Sequence, residues 1–396
     1  MLSLDKVFNA QTVLKNIVRE TKLVRAYGIA PDCELYLKPE NRQITGSFKV
    51  RGSAYKIAML TDEEKKKGVI ACSAGNHAQG VALAATKNGI KSLICLPDSA
   101  PISKVEATKG YGAEVCLVEG CYDDAYQKAL ELRDSEGYTF VHPFDDENVI
   151  AGQGTIALEI LNDLDNIDAI VVPIGGGGLI SGIAYTAKQI RPSIKIYGVQ
   201  AAGAPSMYNS VKDGEIERLS SVSTIADGIA VKQPGENTYA LVKEYVDEIA
   251  LVTDDEVSSA ILALIEKQKM IAEGAGAVAV AAVMFGKFNF KNKRVVAVVS
   301  GGNIDVTSLS SVIDRGLLKS GRSSSLLIEL IDKPGQLKEI SRIIADCGGN
   351  VTGVHYEKGD TESVNGCFLR IEMETRDFEH VNLTTKTLRD EGFKLV

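Results

Sequence analysis

The 396-residue chain contains no apolar run long enough for a bilayer-spanning helix, which argues against a helical membrane protein. Positive charge is in deficit. Lys and Arg number 44 against 52 Asp and Glu, and a net charge of −8 makes nucleic acid or an anionic membrane a poor partner. The cysteines form no CxxC pair. Cys33, Cys72, Cys95, Cys116, Cys121, Cys347 and Cys367 are scattered and odd in number, so reduced thiols in a cytoplasm are expected rather than a disulfide framework or a zinc site. His77, His142, His355 and His380 lack metal-ligand spacing, and no metal is expected. The opening residues, Met1-Leu2-Ser3-Leu4-Asp5-Lys6, lack the basic flank and apolar core of a secretion signal.

What is present is a large globular chain. Hydrophobic residues make up 45% and charged residues 24%, ordinary for a soluble protein with two or three domains. From residue 69 to 200 strand and helix patterns alternate. Val69–Cys72, Leu93–Leu96, Glu114–Val118, Ala169–Ile174 and Lys195–Gln200 read as strands, with Arg294–Val299 completing the series. Helices are expected at 77–87, 122–135 and 179–190. This alternation predicts parallel sheets covered by helices on both faces, in two α/β units. The small polar stretch Ser320–Ser325 reads as a linker. Beyond it, strand Leu326–Ile331, helix Gln336–Cys347, strands Asn350–Glu357 and Cys367–Glu374, helix Phe378–Asp390 and a closing run predict a separate βαββαβ, ferredoxin-like domain.

Lys49 lies in Thr45-Gly46-Ser47-Phe48-Lys49-Val50-Arg51-Gly52, between an aromatic ring and small residues at a loop-to-helix junction. Shielding from water there would lower the amine's pKa and leave it able to form a Schiff base. Three glycine-bearing turns follow strands: Ser73-Ala74-Gly75-Asn76-His77, Gly175-Gly176-Gly177-Gly178-Leu179 and Ser300-Gly301-Gly302-Asn303. Turns at the carboxyl ends of parallel strands can converge on one crevice. Four consecutive glycines before a helix suit a phosphate cradle. The phosphate does not belong to a dinucleotide: Gly175-x-Gly177-x-x-Ile180 lacks the third glycine, and the next strand ends at Gln200 where an acidic residue would hold a ribose. No Gly-Lys-Ser/Thr follows, which excludes a P-loop. A phosphate site beside a Schiff-base lysine points to pyridoxal 5′-phosphate (PLP).

These segments, with Thr224-Ile225-Ala226-Asp227-Gly228 and Glu273-Gly274-Ala275-Gly276, resemble in kind and order the threonine dehydratase (threonine ammonia-lyase) family. Those are tryptophan-synthase-β-like, fold type II PLP enzymes, and the short form carries one C-terminal ACT domain, whose first loop Asp332-Lys333-Pro334-Gly335-Gln336-Leu337 resembles. The resemblance implies an α/β, two-domain fold with parallel twisted sheets in residues 1–320, with a smaller subdomain of about residues 45–140 inserted. It implies a linker at 321–325 and an ACT regulatory domain at 326–396. Lys49 would hold the cofactor as a Schiff base and later remove the α-proton. Phe48 would pack near the cofactor ring and Asn76 would bind its 3′-oxygen. Gly175, Gly176, Gly177, Gly178 and Leu179 would bind phosphate, and Ser300 would face the pyridine nitrogen. Ser73, Ala74, Gly75, Asn76 and the start of the helix at His77 would hold the substrate, with Ser73 and Glu273 beside the chemistry.

The implied reaction converts L-threonine to 2-oxobutanoate and ammonia, with some L-serine turnover. The alternatives are an L-serine-preferring dehydratase and an amino-acid sensor on an inactive PLP scaffold. Serine racemases of the family carry a serine in place of Ala74, so racemisation is not expected, and Gln200 stands where they place a metal-binding glutamate. The resemblance also implies a homotetramer and an amino-acid effector, isoleucine or valine, or a nucleotide such as AMP or ADP, near Gly335 and Asn350. Of the remaining reactive types, His77 reads as a packing or capping residue, Cys72 as core, and Asp123-Asp124 and Asp145-Asp146 as solvated helix or loop starts.

Overall fold

A computed structural model of the protein describes residues 2–357 and 366–396. It divides into two units, Met1–Val306 and Thr307–Val396.

The first unit holds two sheets. The larger runs in the order Val24–Arg25, Glu34–Pro39, Arg294–Val299, Ala169–Pro173, Lys195–Ala201, Glu248–Val252, and only the Val24–Arg25 edge is antiparallel. The smaller is wholly parallel, in the order Glu114–Val118, Ser92–Pro97, Val69–Cys72, Thr139–Phe140. Every residue of Val69–Cys72 and of Ala169–Pro173 is buried, as expected of parallel strands covered on both faces. Helix Gly274–Met284 is apolar all round and buried except at its last residue, so it packs inside the unit rather than on its surface.

The helix that begins at Lys49 (Lys49–Ala58) is anchored by charge rather than by apolar packing alone. Arg51, 1% exposed, donates to both carboxylate oxygens of Glu40 at 2.8 Å and to Glu159 at 2.6 and 2.9 Å. Lys38, also buried, pairs with Glu159 and with the Thr21 carbonyl. Two cations and two anions thus satisfy one another inside the protein, which is the condition under which buried charge is tolerated.

The second unit begins at the second residue of helix Val306–Lys319, which is followed by strand Ser323–Ile331, helix Gln336–Asp346, strands Asn350–Glu357 and Gly366–Glu374, helix Phe378–Asp390 and strand Lys394–Leu395. The sheet is antiparallel, ordered Asn350–Glu357, Gly366–Glu374, Ser323–Ile331, Lys394–Leu395, which is the ferredoxin-like βαββαβ arrangement. Ile328, Leu330, Ile340, Ile343, Ile344, Leu369, Ile371, Met373 and Leu388 form its core. One sequence expectation changes. Ser323–Ser325, read as linker, pair with Glu374, Met373 and Glu372, because ladder bonds come from the backbone and polar side chains do not prevent them. Asn350 opens strand Asn350–Glu357, where the sequence pattern places it, and its Nδ2 donates to Glu374 Oε2 at 2.9 Å.

Candidate active site

The chemistry-bearing loops meet at the carboxyl ends of the strands, around a cleft of about 800 Å³. Its wall includes Phe48, Lys49, Ser73, Ala74, Gly75, Asn76, His77, Gly175, Gly176, Gly177, Gly178, Leu179, Glu273 and Ser300. All the catalytic, cofactor and substrate positions expected from the sequence therefore converge. Gly335 and Asn350 belong to the other unit.

The lysine loop is pinned to the turn after strand Arg294–Val299. Phe48 N donates to Ser300 O at 3.1 Å, Gly302 N to Gly46 O at 2.9 Å, and Ser47 bridges Gly301. Gly46 has φ +71°, and a Cβ there would collide with the Asn303 side chain, so sterics as well as backbone conformation call for glycine. Lys49 then projects into the cleft, where its amine donates to Pro143 O at 2.8 Å and lies 5.3 Å from the centre of the Phe48 ring. Lys49 as a residue is half-buried and lines the cleft. Burial lowers its pKa to about 8, with Glu273 pulling the other way.

Two helix N-termini open onto the same space. Helix Gly178–Ile190 starts from Gly177 at φ +98°, and helix Asn76–Lys87 from Gly75, neither capped by a side chain. Their first backbone N–H groups have no intrahelical partner and present positive potential to an anion. The glycine loop is braced from behind. Thr238 Oγ1 donates to Gly176 O at 2.6 Å while Thr238 N donates to Asp145 Oδ1 at 3.0 Å, and a Cβ at Gly176 or Gly178 would strike Phe144. Asp145 is thus a brace rather than a solvated loop residue, and Asp146 caps helix Glu147–Asp163 through Asn148 N and Val149 N.

Glu273 is 5% exposed and accepts from Asn76 Nδ2 at 2.6 Å. Burial, aided by Asp227, raises its pKa to about 7 against the hydrogen bond from Asn76. It is therefore poised to exchange a proton near neutrality. Ser300, 2% exposed, donates to Ala275 O at 3.2 Å. His77 is buried with Nε2 2.8 Å from Val141 O and Nδ1 3.4 Å from Ser53 Oγ. Burial and the neighbouring Lys49 charge push its pKa down to about 3, so it is neutral and packs as expected.

Several wall residues carried no sequence signal as individuals. Lys104 pairs with Asp227 at 2.8 Å, and Asp123, read as a solvated helix start, faces Arg218 at 3.3 Å and Lys232 at 3.4 Å. These partners lie 95 to 123 residues apart in the chain, beyond any local pattern.

The residues fit PLP. A desolvated amine stands ready for its aldehyde, an uncapped glycine helix start for its phosphate, and a neutral hydroxyl at Ser300 lines the wall between the Lys49 and Glu273 loops. Fold and cleft together define a fold type II PLP enzyme. The sequence agrees: residues 14–301 match the model of the pyridoxal-phosphate dependent enzyme family, and the chain belongs to that family. It is 47% identical to an L-threonine ammonia-lyase of Thermotoga maritima, covering 100% of this chain and 99% of the relative. An L-threonine ammonia-lyase of Geobacter sulfurreducens is 42% identical, with 99% and 98% covered. Among solved structures, threonine deaminase isoform 2 of Solanum lycopersicum superposes with a TM-score of 0.74 at 39% identity, covering 79% of this chain and 94% of that one. Maize serine racemase does so with a TM-score of 0.75 at 34% identity, covering 80% and 98%.

Proposed function

We propose that the protein is a PLP-dependent L-threonine ammonia-lyase that converts L-threonine to 2-oxobutanoate and ammonia. The observation that carries this reading is the desolvated Lys49 amine sharing one cleft with the uncapped Gly177–Gly178 helix start and Ser300. When bound, PLP withdraws electrons from the substrate Cα and acidifies its proton. Lys49 Nζ is placed to take that proton. The backbone amides at Ser73–Asn76 and the helix start behind them hold the substrate carboxylate. Phe48 would border the ring, and Asn76 would donate to its 3′-oxygen. Ser300, a hydroxyl rather than a carboxylate, would not hold a proton on a ring nitrogen beside it, a setting that would favour loss of the β-hydroxyl. Glu273 supplies a carboxyl that changes charge near pH 7 beside these groups. The hydroxyl would leave as water by taking up one proton, which balances the one that Lys49 removes from Cα, and the released enamine would take up a water to give the 2-oxo acid and ammonia. L-Serine differs by one methyl group, which an apolar pocket discriminates by only about 1–3 kcal/mol, so some serine turnover is expected.

The second unit has the βαββαβ topology of an ACT-type sensor, and Gly335, at φ +98°, starts its first sheet-packed helix without a side-chain cap. We infer that it binds an allosteric amino acid or nucleotide near Gly335 and Asn350, in a cytoplasmic homotetramer. The absorbance spectrum of the purified protein, followed by addition of L-threonine, tests the catalytic reading. A band near ~410 nm with 2-oxobutanoate formation is expected. No band after reconstitution with PLP would overturn it.

A further inference from the structure

Asn303 sits where three loops of the cleft touch. Its Nδ2 donates to Thr45 O at 2.7 Å and to Asn76 Oδ1 at 2.7 Å, with Gln79 Oε1 further off at 3.4 Å. Its backbone N–H also lies close enough to the Glu273 carboxylate to favour the ionised form. Thr45 lies four residues before Lys49 and is buried, as is Gln79.

The orientation of this chain of amides follows from one atom. The Thr45 carbonyl can only accept, so the Asn303 atom beside it is the NH2 group. That group has two hydrogens, and the second points to Asn76, whose facing atom must then be Oδ1. The Asn76 NH2 group is consequently turned to Glu273 Oε1, 2.6 Å away, with its remaining hydrogen free for the cleft. Reversing Asn76 would set its oxygen against a carboxylate oxygen.

We propose that Asn303 is a positioning residue: locked by the Thr45 carbonyl, it fixes which end of the Asn76 amide faces Glu273 and the cofactor cleft. Glu273 is thereby held as an acceptor, and its ionised form is favoured against the burial that opposes it. The proposal rests on the reading of the cleft as the cofactor site.

The test contrasts Asn303→Asp with Asn303→Ala in the full-length holoenzyme. Aspartate keeps the shape but replaces the donor by an acceptor. Asn76 must then turn its NH2 group to residue 303 and its oxygen to Glu273, which can bond it only when protonated. Alanine removes the lock without reversing anything. Each variant is read by the pH dependence of its cofactor absorbance, the PLP affinity of its apoenzyme, and the pH profile of kcat/KM. The near-isosteric Asn303→Asp should be the more damaging change, weakening PLP binding by about tenfold to a hundredfold. The limb of its pH profile set by Glu273 should move upward, while Asn303→Ala, which leaves Asn76 oriented by Glu273 alone, should move that limb in the same direction by less. A thermal melt of each variant separates this from misfolding. A packing role predicts the reverse order, with alanine worse than aspartate. That order, or an unmoved pH profile and spectrum in Asn303→Asp, overturns the proposal. Wild-type absorbance reports the cofactor reading alone, and the contrast between variants reports Asn303 alone.

Discussion

The Lys49 amine donates to the Pro143 carbonyl at 2.8 Å, in a wall that otherwise offers it little solvation. A single neutral acceptor does not compensate for lost water, and the pKa falls to about 8. Capture of PLP requires the neutral amine. The rate at which apoenzyme develops its visible band should therefore rise with pH through a midpoint near 8, measured by stopped-flow absorbance. An ordinary lysine midpoint, above pH 10, would contradict the described environment. Lys49→Ala should lower L-threonine turnover by about a thousandfold or more.

Glu273 supplies a second pH signature. Its folded pKa, about 7, lies above the ordinary carboxyl value of 4.5. The protonated carboxyl thus contributes stability that is full below about pH 4.5 and lost as pH rises through about 7. Glu273→Gln cannot ionise and should flatten that part of the stability–pH curve, as read by urea midpoints of the apoprotein between pH 5 and 8. An unchanged slope would show that Glu273 titrates normally.

Gly176 is backed by the Phe144 ring, and an added Cβ has nowhere to go. Gly176→Ala should displace the glycine loop, costing about 1–3 kcal/mol. Because the proposed function sets that loop against the cofactor phosphate, the loss should appear as weaker PLP affinity, measured by fluorescence titration. Equal affinity would place the phosphate elsewhere.

The Arg51–Glu40–Glu159–Lys38 group fixes the helix that Lys49 begins. Arg51→Met would leave Glu40 without its cation and should cost about 3–5 kcal/mol in unfolding free energy. Adding Glu40→Gln to that variant should recover part of the loss, because the orphaned charge is removed. A double variant no more stable than Arg51→Met would count against charge burial as the cause.

A chain ending at Lys319 removes the βαββαβ sheet while keeping the helix before it. Retained 2-oxobutanoate formation with loss of any effector response, including that to isoleucine, valine, AMP or ADP, is the expected outcome. Collapse of the oligomer with loss of activity would assign this unit a structural role instead.

The sequence alone determined the elements whose signals are local. Glu114–Val118, Arg294–Val299 and Phe378–Asp390 end where hydrophobic periodicity and turn residues place their ends. Lys49 and the three glycine turns were legible for the same reason, since a glycine-rich stretch after a strand is visible in a few residues. What lay across the chain was not legible. That Ser323–Ser325 form a strand depended on a partner 47 to 51 residues away, at Glu372–Glu374. That Asp123 meets Arg218, and that Asn303 turns Asn76 toward Glu273, depended on loops from separate strands converging. The tertiary structure also decided the proton affinities of Lys49 and Glu273, because desolvation comes from neighbours that only folding brings together.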